Sequence, residues 1–370
     1  MRNVAVFFGG DSSENEISIL TGVFILSLLR NGKYNVFPIY LHTDGGLYSS
    51  NKMFDLQTFK KKEFTQFSRV FLDGGVLYAF KKGEKIKRLS KIDVGLNCCH
   101  GGLGEGGGIS ALAQLNGIPF ASPDITSSSV FMDKILTKTM MQGLGVPTVD
   151  YIRVNEKDYK KRGAFLIRSI EMRLKYPVVI KPAHLGSSIG ITVARTEEEA
   201  KQGLDLAFEL DDGALIEKYL ENKKDINCGA CTLGGEIYVS EPEYAFGDGF
   251  YSFEEKYIKR QTDGIGKYGG IKSERVKGEI RSKIRAYTKT VYKKMNMQGV
   301  VRMDFLLQDD KVYLCEVNTV PGSLAYYLFC ERLIDAKNFV CDLIDEALST
   351  KQEAKKKIVT GILNKQTFKR

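Results

Sequence analysis

The opening of the chain constrains the fold most. Residues 4–8 (Val-Ala-Val-Phe-Phe) are uninterruptedly apolar and stop at Gly9-Gly10-Asp11. Residues 15–30 then read as a helix, with Ser12 or Ser13 placed to cap it and Glu14 and Glu16 near the positive end of its dipole. Residues 34–40 form the next apolar strand. Strand, helix and strand joined this closely make a βαβ unit, in which the strands run parallel and the helix covers one face. An α/β protein with a parallel sheet in its first domain is the expectation. The same apolar run is too short for the h-region of a signal peptide. No stretch approaches the roughly 18–20 apolar residues of a membrane span. A cytoplasmic protein without a membrane partner is therefore expected.

A chain of 370 residues is too long for one small core, and two or three packed subdomains are expected. Residues 1–122 form the N-terminal α/β domain, with Asp73-Gly74-Gly75 marking a hairpin inserted within about 43–92. Residues 93–99 read as a buried strand that enters a glycine-rich loop, 100–108, followed by a helix over 109–116; Pro119 and Pro123 bound a short strand. A single helix is predicted over 126–144, and a boundary lies near 122–147. The central subdomain, 123–215, holds the strand 177–181 and a glycine- and serine-rich loop, 182–190. The C-terminal subdomain, 216–350, contains an aperiodic Gly-, Tyr- and Lys-rich stretch, 246–273, which reads as a lid. A helix over 278–296 and a hairpin of strands 300–307 and 312–317 follow, and a basic tail, 351–370, ends the chain.

Charge and cysteine content narrow the function class. The formal net charge of +9 suits either nucleic acid or a small polyanion. The basic runs are of the kind that usually line solvated loops, and no basic–aromatic RNA signature or zinc-finger spacing occurs, so nucleic acid is not the expected partner. Seven cysteines, with Cys98 and Cys99 adjacent, do not make a secreted disulfide framework. Cys228 and Cys231 form one CxxC with no second pair to complete a zinc site.

Four constellations carry chemistry. On a strand, side chains alternate, so Arg302 and Asp304 share one face, and Glu316 and Asn318 share one on the next strand. The hairpin brings Asp304, Glu316 and Asn318 together as hard oxygen donors of the kind Mg2+ prefers. The competing reading, a surface hairpin with exposed charges, accounts poorly for acids lying among Val300, Val301, Phe305, Leu306 and Leu314. Lys181 ends a strand just before the loop Pro182–Gly190, whose backbone amides can approach phosphate oxygens; read alone, such a loop is usually only a turn. It lacks the G-K-[ST] ending of a Walker A loop. The strand 215–220 ends in Glu217-Lys218-Tyr219-Leu220, where exposed backbone amides suit an adenine edge, or where an edge strand merely has polar ends. The loop His100–Gly108 has six glycines in nine residues, and His100 is one of three histidines, read as orienting substrate rather than acting as the main base.

In order along residues 4–330, these motifs resemble the D-alanine–D-alanine ligase family. The resemblance rests on Gly9-Gly10 with Ser12, Glu14 and Glu16; His100-Gly101 with Gly104-Glu105; Met132-Asp133-Lys134 with Lys138; and Lys181-Pro182 with Gly186-Ser187-Ser188 and Gly190. It continues through Ile216-Glu217-Lys218, Glu255-Lys256-Tyr257, Arg302 with Asp304, Glu316 with Asn318-Thr319, and Pro321-Gly322. The resemblance implies an ATP-grasp fold with an N-terminal Rossmann-like parallel-sheet domain. It also implies ATP-dependent joining of two D-alanines through a D-alanyl phosphate, for peptidoglycan precursor synthesis, in a homodimer. By resemblance, Lys138 and Lys181 contact the ATP phosphates, with Lys256 near them. Glu217, Lys218, Tyr219 and Leu220 read the adenine, and Asp225 the ribose. Asp304, Glu316 and Asn318 hold a pair of Mg2+ ions, Mn2+ being an alternative. Arg302 and the Gly322 amide stabilise the oxyanion. Glu14 binds the ammonium of the first D-alanine, and Ser187 and Tyr257 bond with Glu14 to close the lid.

Several positions depart from the family pattern. Gly106 stands where an acid or amide is usual, and Asp225 follows a longer spacing than the usual ribose-binding Glu. Tyr327-Leu328 stands where many members carry Ser-Leu, in the region that contacts the second amino acid's carboxylate. This keeps open a ligase of the same fold with D-serine, D-lactate or another amino acid as second substrate. Tyr257, rather than Phe, favours D-alanine over D-lactate, because its hydroxyl can complete a hydrogen-bond network.

Overall fold

The computed structural model describes residues 1–62, 64–82, 85–245 and 274–349. The first strand, β1 (Arg2–Gly9), carries the N-terminal apolar run, and Val4 to Phe8 are wholly buried, as befits a strand covered on both faces. Next come α1 (Asn15–Leu29), β2 (Tyr34–Leu41), β3 (Leu47–Ser49), α2 (Leu56–Lys60), β4 (Ser68–Asp73), β5 (Val76–Phe80), β6 (Ile86–Lys91), β7 (Val94–Asn97) and α3 (Ile109–Leu115). The sheet order is β6-β5-β4-β3-β2-β1-β7, with β1 parallel to both β2 and β7. The hairpin predicted at Gly74-Gly75 joins β4 to β5, with positive φ at both glycines. β3 pairs antiparallel with β2, and the meander β3–β6 widens the parallel core into one seven-stranded sheet. The strand expected between Pro119 and Pro123 reduces to a single parallel bridge, Gly95 to Phe120.

Two helix ends differ from the sequence reading. Neither Ser12 nor Ser13 caps α1. Glu14 occupies the cap position without a side-chain cap bond, while Ser12 Oγ accepts from the Glu14 N–H (3.2 Å) and donates to the His100 carbonyl (2.7 Å). The single helix expected over 126–144 is two, α4 (Ile125–Met132) and α5 (Lys134–Leu144). Asp133 breaks them: its backbone is extended, and its carboxylate accepts from the N–H groups of Ile135 (2.7 Å) and Leu136 (3.1 Å). A short acceptor side chain that captures local amides competes with helix continuation.

The central sheet follows with β8 (Tyr151–Asn155), α6 (Glu156–Arg173), β9 (Val178–Pro182), β10 (Thr192–Ala194), α7 (Glu197–Leu210) and β11 (Gly213–Lys218), in antiparallel order β10-β9-β11-β8. The boundary expected at 215/216 falls inside β11, whose every residue pairs within this sheet. The third sheet contains β12 (Lys224–Leu233), β13 (Glu236–Val239), β14 (Glu243–Tyr244), β15 (Val300–Gln308) and β16 (Lys311–Asn318). Its helices are α8 (Gly278–Lys294), the short α9 (Tyr326–Phe329) and α10 (Ala336–Ser349). α5 joins this third core, with Met141 packed among Ile284, Val291, Met303 and Phe305. α10 turns back onto the first, with Phe339, Val340, Leu343 and Ile344 beside Val4, Val6 and Leu26. The lid expected over 246–273 and the tail 351–370 lie outside the described residues. Among those that are described, no helix is long and apolar enough to cross a membrane.

Candidate active site

The loops at the ends of β1, β7, β9 and β16 converge, and each delivers a polar group. Glu14 leads α1 and is almost fully buried. Ser187 Oγ, from the loop after β9, donates to Glu14 Oε1. A Cβ on Gly186 would lie 2.5 Å from Glu14 Oε2, and one on Gly101 would lie 2.7 Å from the same oxygen. Only glycine lets two separate backbones close on this carboxylate, which gives both glycine-rich loops a steric reason.

On the β15–β16 hairpin, Asp304 stands opposite Glu316, and Arg302 opposite Asn318. The Arg302 guanidinium holds Asp304 through two bonds, 2.7 and 2.8 Å, and Asn318 Nδ2 donates to Asp304 Oδ2 at 3.1 Å. Burial raises the Asp304 carboxyl above its ordinary range against the pull of Arg302, and the neighbouring Glu316 raises it further. Two carboxylates set side by side and an amide oxygen within reach are a donor set that a hard divalent cation fits, and its charge would relieve their repulsion. The sequence reading thus placed Asp304, Glu316, Asn318 and Arg302 together correctly.

The lysines are arranged otherwise than expected. Lys181, at the end of β9, pairs with Glu217, and Lys138, from α5, pairs with the other oxygen of the same carboxylate. Lys138 is 1% exposed and Glu217 3%. Burial alone would raise the Glu217 carboxyl, but the two ammoniums hold it down at about 2. In this structure the ammoniums of Lys138 and Lys181 both rest on the Glu217 carboxylate. The N–H groups of Lys218 and Tyr219 are also engaged, by the carbonyls of Asp150 (3.0 Å) and Pro177 (3.1 Å). Leu220 packs with Val149 and Leu306, flanked by Tyr313 and Cys315, and these form an apolar patch between the second and third sheets. Asp225 pairs in register with Leu306 at the edge of that patch and accepts from Lys223 Nζ at 2.5 Å.

Three residues went unassigned in the sequence. Lys134, the first residue of α5, donates to the Leu185 carbonyl and faces the charges of Glu316, Glu14 and Lys181; burial lowers its pKa. Its signal was the Met132-Asp133-Lys134 triplet, in which Asp133 starts a helix. His184 bonds through Nδ1 to Asp211 (2.8 Å) and lies 3.6 Å from Asp133. Those two carboxylates raise its pKa to about 10. Glu105 joins the first and third sheets, accepting from the N–H groups of Gly101 (2.8 Å) and Val320 (3.1 Å). Burial and the charge of Glu14 push its carboxyl up to about 7.

The remaining predicted residues gather where the first and third sheets meet. His100 is buried with Nε2 3.0 Å from Thr21 Oγ1, and burial, with the charge of Arg302, pushes its pKa down to about 3. Gly322 opens a tight turn in which Ser323, Leu324 and Ala325 all adopt positive φ. Tyr327 OH lies 3.4 Å from Arg302 Nη1, and Leu328 packs against the first core. Lys256 and Tyr257 lie outside the described residues.

Comparisons with known proteins point to one family. Family models described as the D-ala D-ala ligase N-terminus and C-terminus match residues 3–123 and 140–349. A D-alanine–D-alanine ligase of Thermosipho melanesiensis is 30% identical, with 97% of each chain covered. The crystal structure of D-alanine–D-alanine ligase from Helicobacter pylori superposes with a TM-score of 0.75 at 26% identity, covering 93% of this chain and 98% of that one. A VanG D-Ala:D-Ser ligase from Enterococcus faecalis shares the fold, with a TM-score of 0.73 at 22% identity over 94% of this chain and 99% of that one.

Proposed function

This chain belongs to the D-alanine–D-alanine ligase family, and from that premise we propose that it joins two D-alanines into D-alanyl-D-alanine, a peptidoglycan precursor, converting ATP to ADP and phosphate. The three-sheet architecture is the ATP-grasp fold with a Rossmann-like first domain. One observation carries the reading. A buried carboxylate (Glu14), backed by two glycines and a serine hydroxyl, lies near Lys134, Lys181, Arg302 and the Asp304–Glu316 pair.

In this reaction the γ-phosphoryl group of ATP passes to a carboxylate oxygen of the first D-alanine, and ADP departs. The amine of the second D-alanine attacks the acyl carbon. The tetrahedral adduct collapses by expelling phosphate, and the nitrogen loses a proton. Little of this needs covalent help from the protein; positioning and charge neutralisation suffice. Glu14 takes the ammonium of the first D-alanine, oriented by Ser187. Lys181 and Lys134 face the phosphates, and Glu217 with Lys138 fixes Lys181. The adenine rests on the apolar patch of Val149, Leu220, Leu306 and Tyr313, with Asp225 beside the ribose. Asp304, Glu316 and Asn318 would hold Mg2+, which, when bound, supplies charge against the phosphate oxygens. Arg302 and the Gly322 amide face the oxyanion of the adduct. A homodimer in the cytoplasm, where ATP is made, completes the reading.

The test is coupled phosphate release from purified protein with ATP and Mg2+, with and without D-alanine, and the product weighed by mass spectrometry. D-alanine-dependent phosphate with the dipeptide mass is expected, and Asp304→Asn should lower kcat about 100-fold or more. No turnover with any D-amino acid would refute the ligase. Tyr327, with its phenol beside Arg302, favours a second reading in which the acceptor is D-serine, D-lactate or another amino acid. A mixed product mass from D-alanine plus one of these, with no D-alanyl-D-alanine, would establish it.

A further inference from the structure

α1 is buried almost all round, yet one stripe of it is polar: Glu14, Ser18 and Thr21, spaced at the four- and three-residue intervals that share a helix face. Each contacts a different segment of the site. Glu14 meets Ser187. Ser18 Oγ accepts from the Gly9 N–H (2.6 Å) and donates to the Cys98 carbonyl (2.8 Å). Thr21, 3% exposed, has Oγ1 3.0 Å from His100 Nε2 and accepts from the Ser323 N–H at 3.3 Å.

We propose that Thr21 is a positioning residue, a hydroxyl latch that holds the turn opening at Gly322 against His100 and fixes the tautomer of that imidazole; the inference rests on the ligase reading of the site. Ser323, Leu324 and Ala325 have φ of 53°, 54° and 48°, a conformation that side-chain-bearing residues adopt only when their surroundings enforce it. The Thr21 bond to the Ser323 N–H falls on the first of the three. A threonine hydroxyl has one hydrogen. One of its two lone pairs accepts from Ser323; in the latch as proposed, the hydrogen goes to His100 Nε2 and the imidazole proton stays on Nδ1. His100 is 5% exposed, and burial with the charge of Arg302 keeps it neutral, so its tautomer, rather than its charge, is what the latch sets. Thr21 touches no substrate; it acts through the Gly322 turn and His100.

Two substitutions separate the hydroxyl from the methyl. Thr21→Val keeps the volume and loses the hydroxyl; Thr21→Ser keeps the hydroxyl and loses the methyl. The expected result is a kcat lowered ~10–100-fold in Thr21→Val with the Kd for ATP within about twofold of wild type. Thr21→Ser should keep kcat within about threefold. A role in packing alone would give the reverse order. Nitrogen-15 NMR of the three histidines reads the latch without turnover. His100, assigned by its loss in His100→Gln, should be the Nδ1–H tautomer in wild type and shift toward Nε2–H in Thr21→Val. Wild-type kcat in Thr21→Val, equal damage in both variants, or a His100 signal unchanged in Thr21→Val would each overturn the proposal. If the wild-type protein shows no D-alanine-dependent turnover, the ligase reading fails, and the NMR comparison still decides the latch by itself.

Discussion

Lys138 and Lys181 share one buried carboxylate, and substitution should reveal their different duties. Lys138→Met leaves Glu217 with one partner in a site closed to water, and breaking such a pair costs roughly 3–5 kcal/mol. The melting temperature should fall by several degrees while the Kd for ATP changes little. Lys181→Met should do the opposite in rank, weakening ATP more than it lowers melting. Calorimetry on both variants decides it, and a Lys138→Met protein that melts normally but binds ATP poorly would show that Lys138 does reach the phosphates. Acid gives the same pair a second readout. Glu217 is held at about 2 in the fold against an ordinary 4.5. Its contribution is therefore complete above pH ~4.5 and is lost as pH falls toward 2. Losing Lys138 reduces the depression, so acid unfolding of Lys138→Met should begin at a higher pH than in wild type. This arrangement could not be read in the sequence. Glu217 and Lys138 are far apart along the chain, and only the register of β11 with β9, which sets Leu215 opposite Lys181, turns Glu217 inward beside both lysines.

At the scale of elements, the break between α4 and α5 has a purpose that the helical pattern concealed. Asp133 caps α5 and, with Asp211, faces His184 at the start of the glycine- and serine-rich loop after β9. Helix start, loop and the turn before β11 are thus clamped by one imidazolium, with exposed Asp212 at 4.0 Å as a further acid. The pKa of His184 is raised from 6.5 to about 10, so the clamp is fully charged below pH ~6.5 and is lost as pH rises through about 10. Because His184 is half exposed, solvent screens part of the effect. Between pH 7 and 10 the wild-type melting temperature should decline, and the His184→Gln protein should lose that slope while melting lower at pH 7. Parallel slopes in the two proteins would remove His184 from the account. Some elements were plain in the sequence for good reason. The β15–β16 hairpin alternates acids with wholly buried Met303, Phe305 and Leu314, and alternation of that kind specifies both strand and face. β1 was plain because an apolar run that short, closed by two glycines, suits a covered strand. The helix break was hidden because Asp133 interrupts an otherwise helix-forming stretch through a side-chain bond, which composition does not display.

The whole molecule is less divisible than its three sheets suggest. α10 is the last described helix, yet Phe339, Val340, Leu343 and Ile344 complete the core begun by β1 and α1. Asp345 adds polar ties, accepting from Tyr34 OH (2.5 Å) and Lys33 Nζ (2.5 Å). Phe339 also stacks on Phe329, with centroids 4.9 Å apart and planes at 15°, so the first core continues into α9, which carries Tyr327 to the site. A chain that closes on itself in this way should unfold as one unit across its first and third sheets. Phe339→Ala tests that. Truncating a buried aromatic costs about 3–5 kcal/mol, and the stacking partner Phe329 is loosened with it. Scanning calorimetry should show one transition for these two sheets, shifted down as a whole, and the KM for the second substrate should rise as Tyr327 loses its support. Two separated transitions, with only the smaller one moved and KM unchanged, would mean that α10 is an appendage and that the acceptor side of the site is held by the third sheet alone. The pairing of α10 with α1 makes the first outcome the expected one: the helix that bears Glu14, Ser18 and Thr21 on its polar stripe is covered on its apolar side by the far end of the chain, so the site's geometry depends on the whole fold being closed.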